Sequence, residues 1–157
     1  MKKIILIVSL VSLVGAANVS AEGPMGLTGF GVYGTMGSTS GSLGGGVGLS
    51  LKWGSFPVVG LQYNLSTERL NGSFDYYVVD AQVLADHLSY FVGGGVFAGL
   101  GSGDDGVDFD FGFRIPVGLQ FWPVPKLELF LAPVLAIPLI PAPDVNFGAE
   151  FGARMRF

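Results

Sequence analysis

From Val107 to Trp122 the chain alternates without a break. Val107, Phe109, Phe111, Phe113, Ile115, Val117, Leu119 and Phe121 fall on one side, and Asp108, Asp110, Gly112, Arg114, Pro116, Gly118, Gln120 and Trp122 on the other. Successive side chains of an extended strand point to opposite faces, whereas a helix would scatter these residues around its circumference. The segment therefore reads as a strand with one wholly apolar face and one that mixes charge, amide and glycine. Val145 to Phe157 repeats the pattern, with Val145, Phe147, Ala149, Phe151, Ala153, Met155 and Phe157 opposite Asn146, Gly148, Glu150, Gly152, Arg154 and Arg156.

The same period runs through the rest of the chain. A weaker first strand lies in Leu27 to Met36, where Phe30, Val32 and Met36 share a face. A second sets Val47, Leu49, Leu51 and Trp53 against Gly46, Gly48, Ser50 and Lys52, and a third sets Val59, Leu61, Tyr63 and Leu65 against Gly60, Gln62, Asn64 and Ser66. A polar loop is expected at Thr67 to Ser73, followed by a fourth strand from about Phe74 to Leu84, with Tyr77, Val79, Ala81 and Val83 opposing Tyr76, Val78, Asp80 and Gln82. The fifth opposes Tyr90, Val92, Gly94, Val96, Ala98 and Leu100 to Phe91, Gly93, Gly95, Phe97 and Gly99, and both faces carry apolar residues. The seventh opposes Leu127, Leu129, Leu131, Pro133, Leu135 and Ile137 to Glu128, Phe130, Ala132, Val134 and Ala136. A transmembrane helix over this last stretch fails, because Pro133 and Pro138 would each cost it roughly 3 kcal/mol and about 20 residues are needed to span. The prolines also remove ladder hydrogen bonds, so a bulge or an early strand end is expected near Pro138.

Composition says what solvates the oily faces. With 50% hydrophobic and 13% charged residues, the chain is unlike an ordinary water-soluble domain, and its 26 glycines and 13% aromatics are unlike a disordered one. There is no cysteine, hence no disulfide framework or thiolate metal site, and a net charge of -4 argues against nucleic acid. Lys2 and Lys3, the apolar run Ile4 to Val14 and the small residues before Ala21 form the pattern of an export signal, removed after residue 21 to leave 22–157 as one domain.

The connections alternate between tight turns at Gly54, Asp86 and Val124 and more polar loops near Ser40, Asn71, Asp104 and Ala142. Aromatics gather in two girdles, Trp53, Phe56, Tyr90, Phe121, Trp122 and Phe157 beside the tight turns, and Tyr63, Tyr77, Phe109 and Phe147 at the other ends. Export signal, strand count, girdles and the closing Arg154-Met155-Arg156-Phe157 together resemble the small eight-stranded outer-membrane barrels, the OmpA, OmpX and OmpW group. The resemblance implies an all-β fold, an eight-stranded antiparallel up-and-down transmembrane β-barrel in the bacterial outer membrane, monomeric, with both barrel termini periplasmic. It also implies outer-membrane lipid as solvent and the barrel-assembly machinery as partner, through an assembly signal at Phe151, Met155 and Phe157. A host or cell-surface partner is open, and nothing in the chain resembles a separate peptidoglycan-binding domain.

A soluble, lipocalin-like carrier is the rival architecture, but it would turn glycine-rich faces to water and waste the girdles. An eight-stranded barrel is just wide enough to be filled by its own side chains. The expected lumen network is Lys52, Asp80, Arg114, Glu128, Glu150, Arg154 and Arg156, with Gln62, Asn64, Gln82, Asp108, Asp110 and Gln120 beside it. Glu128 is expected opposite Arg156, and Arg114 to reach Asp80 past Gly93 and Gly95. Phe91, Phe97, Phe130, Ala132, Val134 and Ala136 add an apolar strip, for which OmpW-like barrels suggest small apolar solutes. No catalytic, cofactor or metal site is expected. His87 falls in a turn without a serine partner, and the Gly29, Gly31, Gly34 spacing lacks the strand before and helix after that a dinucleotide site needs. The expected role is structural or surface-interactive, with a narrow channel for ions or small apolar solutes as the alternative.

Overall fold

The computed structural model describes residues 28–39, 42–103, 106–141 and 143–157, so the export signal and the loop positions Ser40, Asp104, Asp105 and Ala142 lie outside the described residues. Eight strands follow one another: β1 (Thr28–Thr39), β2 (Ser42–Trp53), β3 (Val58–Asn64), β4 (Arg69–Ala85), β5 (Leu88–Gly103), β6 (Gly106–Val124), β7 (Leu127–Ile140) and β8 (Asn146–Arg156). Each pairs antiparallel with its neighbours in sequence. The sheet closes where β1 meets β8, from Gly29 against Arg156 to Ser38 against Phe147. Closure leaves no sheet edge, which is the condition for a β-structure to lie in hydrocarbon, where unpaired backbone groups find no water.

The first and last strands meet at one end of the barrel, with Phe157 N–H donating to Thr28 C=O at 2.9 Å. The turns between β2 and β3, β4 and β5, and β6 and β7 share that end, here called the terminal end; the opposite one is the loop end. Outward faces are apolar along the whole wall: Phe30, Val32, Leu49, Leu61, Phe113, Leu131 and Phe151 all stand exposed. At the terminal end Phe56 packs edge-on against Phe74 and Tyr76, at ring separations of 5.1 and 5.9 Å. The expected bulge near Pro138 is present, since Phe111 pairs with Ile140 but Gly112 with Pro138, leaving Leu139 as the extra residue.

Four expectations are corrected. The polar loop at Thr67 to Ser73 shrinks to Leu65 through Glu68, because Asn64 Oδ1 accepts the backbone N–H groups of Ser66 and Thr67 and closes a compact turn; β4 starts at Arg69 rather than Phe74. The face assignment of β4 fails at its centre: Tyr77 is buried in the lumen, while Tyr76 and Val78 face out. The register slips three times between Tyr77 and Ala85, and Ala81 sits buried at φ 50, so inserted residues shift the inside–outside phase. Two aromatics leave the girdles, Tyr77 through that shift and Trp122 because it lies on the inward side of β6 that its alternation predicts. Tyr77 stacks on Phe91 inside the barrel at 4.4 Å, and Trp122 turns inward to donate its Nε1–H to Ser89 Oγ at 2.9 Å.

Candidate functional site

The lumen is where this barrel keeps its charge, and its two halves differ. In the terminal half a continuous polar network joins five strands, β2, β4, β6, β7 and β8. Lys52 Nζ donates to Asp80 Oδ2 and to the carbonyl of Gly54. Gln120 Nε2 reaches toward Asp80 at 3.4 Å and donates to Glu128 Oε1 at 2.9 Å. Arg154 donates to Glu128 Oε1 and to Ser50 Oγ, both at 2.8 Å, with its guanidinium 3.9 Å from the centre of the Phe130 ring. Lys52, Glu128 and Arg156 are each 0% exposed, as is Gln120. Charges this deep are held only where partners compensate the lost hydration.

Tyr77, Phe91, Phe130, Val58, Ala132 and Tyr33 pack above this network as an apolar layer. A second ionic cluster follows nearer the loop end, where Arg114 Nη2 donates to Glu150 Oε1 at 2.8 Å and Nε lies 3.1 Å from Asp75 Oδ1. A third stands at the loop end, where Arg69 pairs with Asp108 and lies 3.4 Å from Asp110. Between the second and third clusters the lumen opens into a cavity of about 310 Å³. The barrel is thus a cup, filled at the terminal end and hollow toward the loops.

The expected network residues are all inside, but two pairings differ. Arg114 does not reach Asp80, which belongs to Lys52; its partners are Asp75 and Glu150. Gly95 makes that possible, since a side chain there would collide with Asp75. Glu128 stands in register with Arg154 rather than Arg156, whose Nε is 3.4 Å from Glu128 Oε2, so one carboxylate serves both arginines. Arg156 fits because Gly29 lies beside it, where a Cβ would come within 2.7 Å of Arg156 Cδ. Asp75 and Arg69 were missed. Asp75 lies just before the bulged part of β4, among aromatics that give no clear face, and Arg69 was hidden by a polar run that reads as loop. His87 is exposed in the turn after β4, at φ 62. Phe151, Met155 and Phe157 all face outward.

A closed eight-stranded antiparallel barrel with an apolar exterior and a charged, side-chain-filled interior is the architecture of the small outer-membrane barrels. Solved structures agree on the fold. The N-terminal β-barrel domain of Pseudomonas aeruginosa OprF is similar at a TM-score of 0.61 and 13% identity, over 85% of this chain and 98% of that one. Neisserial surface protein A is similar at 0.52 and 14% identity, over 83% and 96%. No protein-family profile matches the sequence, and no curated protein is detectably similar to it in sequence.

Proposed function

We propose that this chain is an integral outer-membrane barrel with a structural or surface-interaction role, its lumen closed to solute flow by its own side chains. The observation that carries the reading is the filled terminal half, where Lys52, Gln120, Glu128 and Arg156 are fully buried across the bore while the outer wall exposes leucine, valine and phenylalanine. Such a wall is suited to lipid and unsuited to water. Both barrel ends lie with the turn side, which supports periplasmic termini and surface-facing loops, and outer-membrane lipid is the proposed solvent. Phe151, Met155 and Phe157 on the outer face of β8 suit recognition by the barrel-assembly machinery. A non-enzymatic role is supported by the terminal half of the lumen, where Lys52 is bonded to Asp80, and Gln120 and Arg154 to Glu128.

A narrow ion path is the second reading, favoured by the run of charged groups from Arg69 through Arg114 to Lys52. Planar-bilayer recording decides between them. Folded, heat-modifiable barrel is expected to give no discrete current, and Arg114→Ala is expected to stay silent too, because the seal lies below Arg114. Discrete openings in the parent barrel that change with Arg114→Ala would establish the channel instead.

A further inference from the structure

The barrel register assembles a two-part surface on the wall of the loop-end cavity. One row across β3, β4 and β5 sets Gln62 opposite Asn71 and Asn71 opposite Gly99. The next inward-facing row down the bore sets Ser73 opposite Phe97, Phe97 opposite Gly112 and Gly112 opposite Pro138. Long and aromatic side chains in neighbouring rows of one face are within reach of each other. Gln62, Asn71, Ser73, Phe97 and Pro138 all line the cavity. The glycines give it its shape. A Cβ at Gly99 would lie 2.4 Å from Asn71 Oδ1, and one at Gly112 would lie 2.8 Å from Phe97 Cε1. Asn71 therefore leans over the bare backbone of β5, and the Phe97 ring over that of β6.

The polar part of this wall keeps hydrogen-bonding capacity that the fold does not use. Asn71 and Ser73, both half-buried, make no side-chain hydrogen bond among the described residues. Gln62 donates Nε2 to Thr35 Oγ1 at 2.6 Å, which leaves its side-chain carbonyl to accept. Amides and hydroxyls both donate and accept, so this edge complements a ligand whose own groups do the same. Phe97 and Pro138 supply an apolar surface beside it. The charged side chains that line the cavity, Arg69, Asp110, Arg114 and Glu150, are held in ion pairs. A charged ligand would compete with those pairs, and a neutral one would not. The volume of about 310 Å³ is at the lower bound of small-molecule sites and equals that of about ten waters. A single pyranose meets these conditions together, being neutral, one ring in size, ringed by hydroxyls and covered by C–H groups on its faces. A wholly apolar solute would leave Asn71 and Ser73 unpaired, and a metal ion would leave the Phe97 surface unused.

We propose that this cup binds one neutral monosaccharide, its hydroxyls at Gln62, Asn71 and Ser73 and one ring face against Phe97. The site lies above the seal, so the proposal stands whether or not the terminal half conducts. The test is NMR titration of the full folded barrel with D-glucose, D-galactose and D-mannose. The detergent is lauryldimethylamine oxide, which has no sugar head group, and cyclohexanol is the comparison ring with a single hydroxyl. At least one hexose is expected to bind saturably and to shift the Asn71 side-chain amide. Cyclohexanol is expected to bind about tenfold or more weakly, because polar groups built to meet hydroxyls are left unpaired by an analogue that lacks them. Asn71→Ala and Phe97→Ala are each expected to weaken the hexose about tenfold. Heat-modifiable migration checks the fold of each variant, and where one fails to fold the other decides. No saturable hexose binding, shifts confined to residues outside the cup, cyclohexanol binding as tightly as the best hexose, or an affinity unchanged in the folded variants would each overturn the proposal.

Discussion

Glu128→Ala is expected to destabilise the folded barrel by about 3 to 5 kcal/mol, the usual consequence of removing one member of a buried ion pair. The effect should sit at the top of that range. Glu128 is the carboxylate shared by Arg154, at 2.8 Å, and Arg156, at 3.4 Å, and it also accepts from Gln120, so its loss strands two buried cations and an amide at once. The guanidinium nitrogens of Arg156 make no aligned hydrogen bond, which leaves Glu128 as the counter-charge holding it. Glu128→Gln keeps the shape and an acceptor oxygen and should cost less. Urea unfolding of vesicle-reconstituted barrel, read by heat-modifiable migration, measures both; an alanine variant within about 1 kcal/mol of the parent would mean that the network is not the seal described above.

The second large effect lies on the other side of the wall. Phe113 projects outward from the middle of β6, 51% exposed, between Val96 and Ile137 on the flanking strands. Phe113→Arg places a cation in hydrocarbon and should cost about 2 to 4 kcal/mol, the depth-dependent penalty at a bilayer midplane. Val107, on the same face of the same strand but at the loop end and 81% exposed, is the internal control. Val107→Arg should cost only about 0 to 1 kcal/mol. Equal costs at the two positions would remove the depth dependence that a bilayer imposes.

Where the sequence was readable, it was readable because the two faces of a strand differ in chemistry. β6 and β8 alternate phenylalanine and aliphatics with charge and glycine, and the barrel places every one of those residues on the expected side. β7 was legible down to the bulge beside Pro138, since proline cannot donate to a ladder. β4 was not. Tyr76, Tyr77, Val78 and Val79 are apolar on both faces, so nothing in their order sets the register, and the bulges that shift it leave no local signature. One slip then moved Tyr77 into the lumen and hid Asp75, which in turn misdirected Arg114 toward Asp80. The members of the lumen network were legible as inward-facing charges on oily strands. Their pairing was not, because partners on different strands are fixed by barrel register, which a linear pattern does not contain.

The central claim is that one face of this wall meets lipid while the bore behind it is sealed, and the two tryptophans of the chain report on those two environments separately. Trp53 stands exposed on the outer wall at the end of β2, and Trp122 is buried inside, bonded to Ser89. The measurement is fluorescence quenching by brominated lipid and by aqueous iodide in barrels carrying one tryptophan each, Trp122→Phe and Trp53→Phe. Trp53 is expected to be quenched by brominated acyl chains, and Trp122 to be shielded from both quenchers. A Trp53 untouched by lipid, or a Trp122 open to lipid or iodide, would contradict the account.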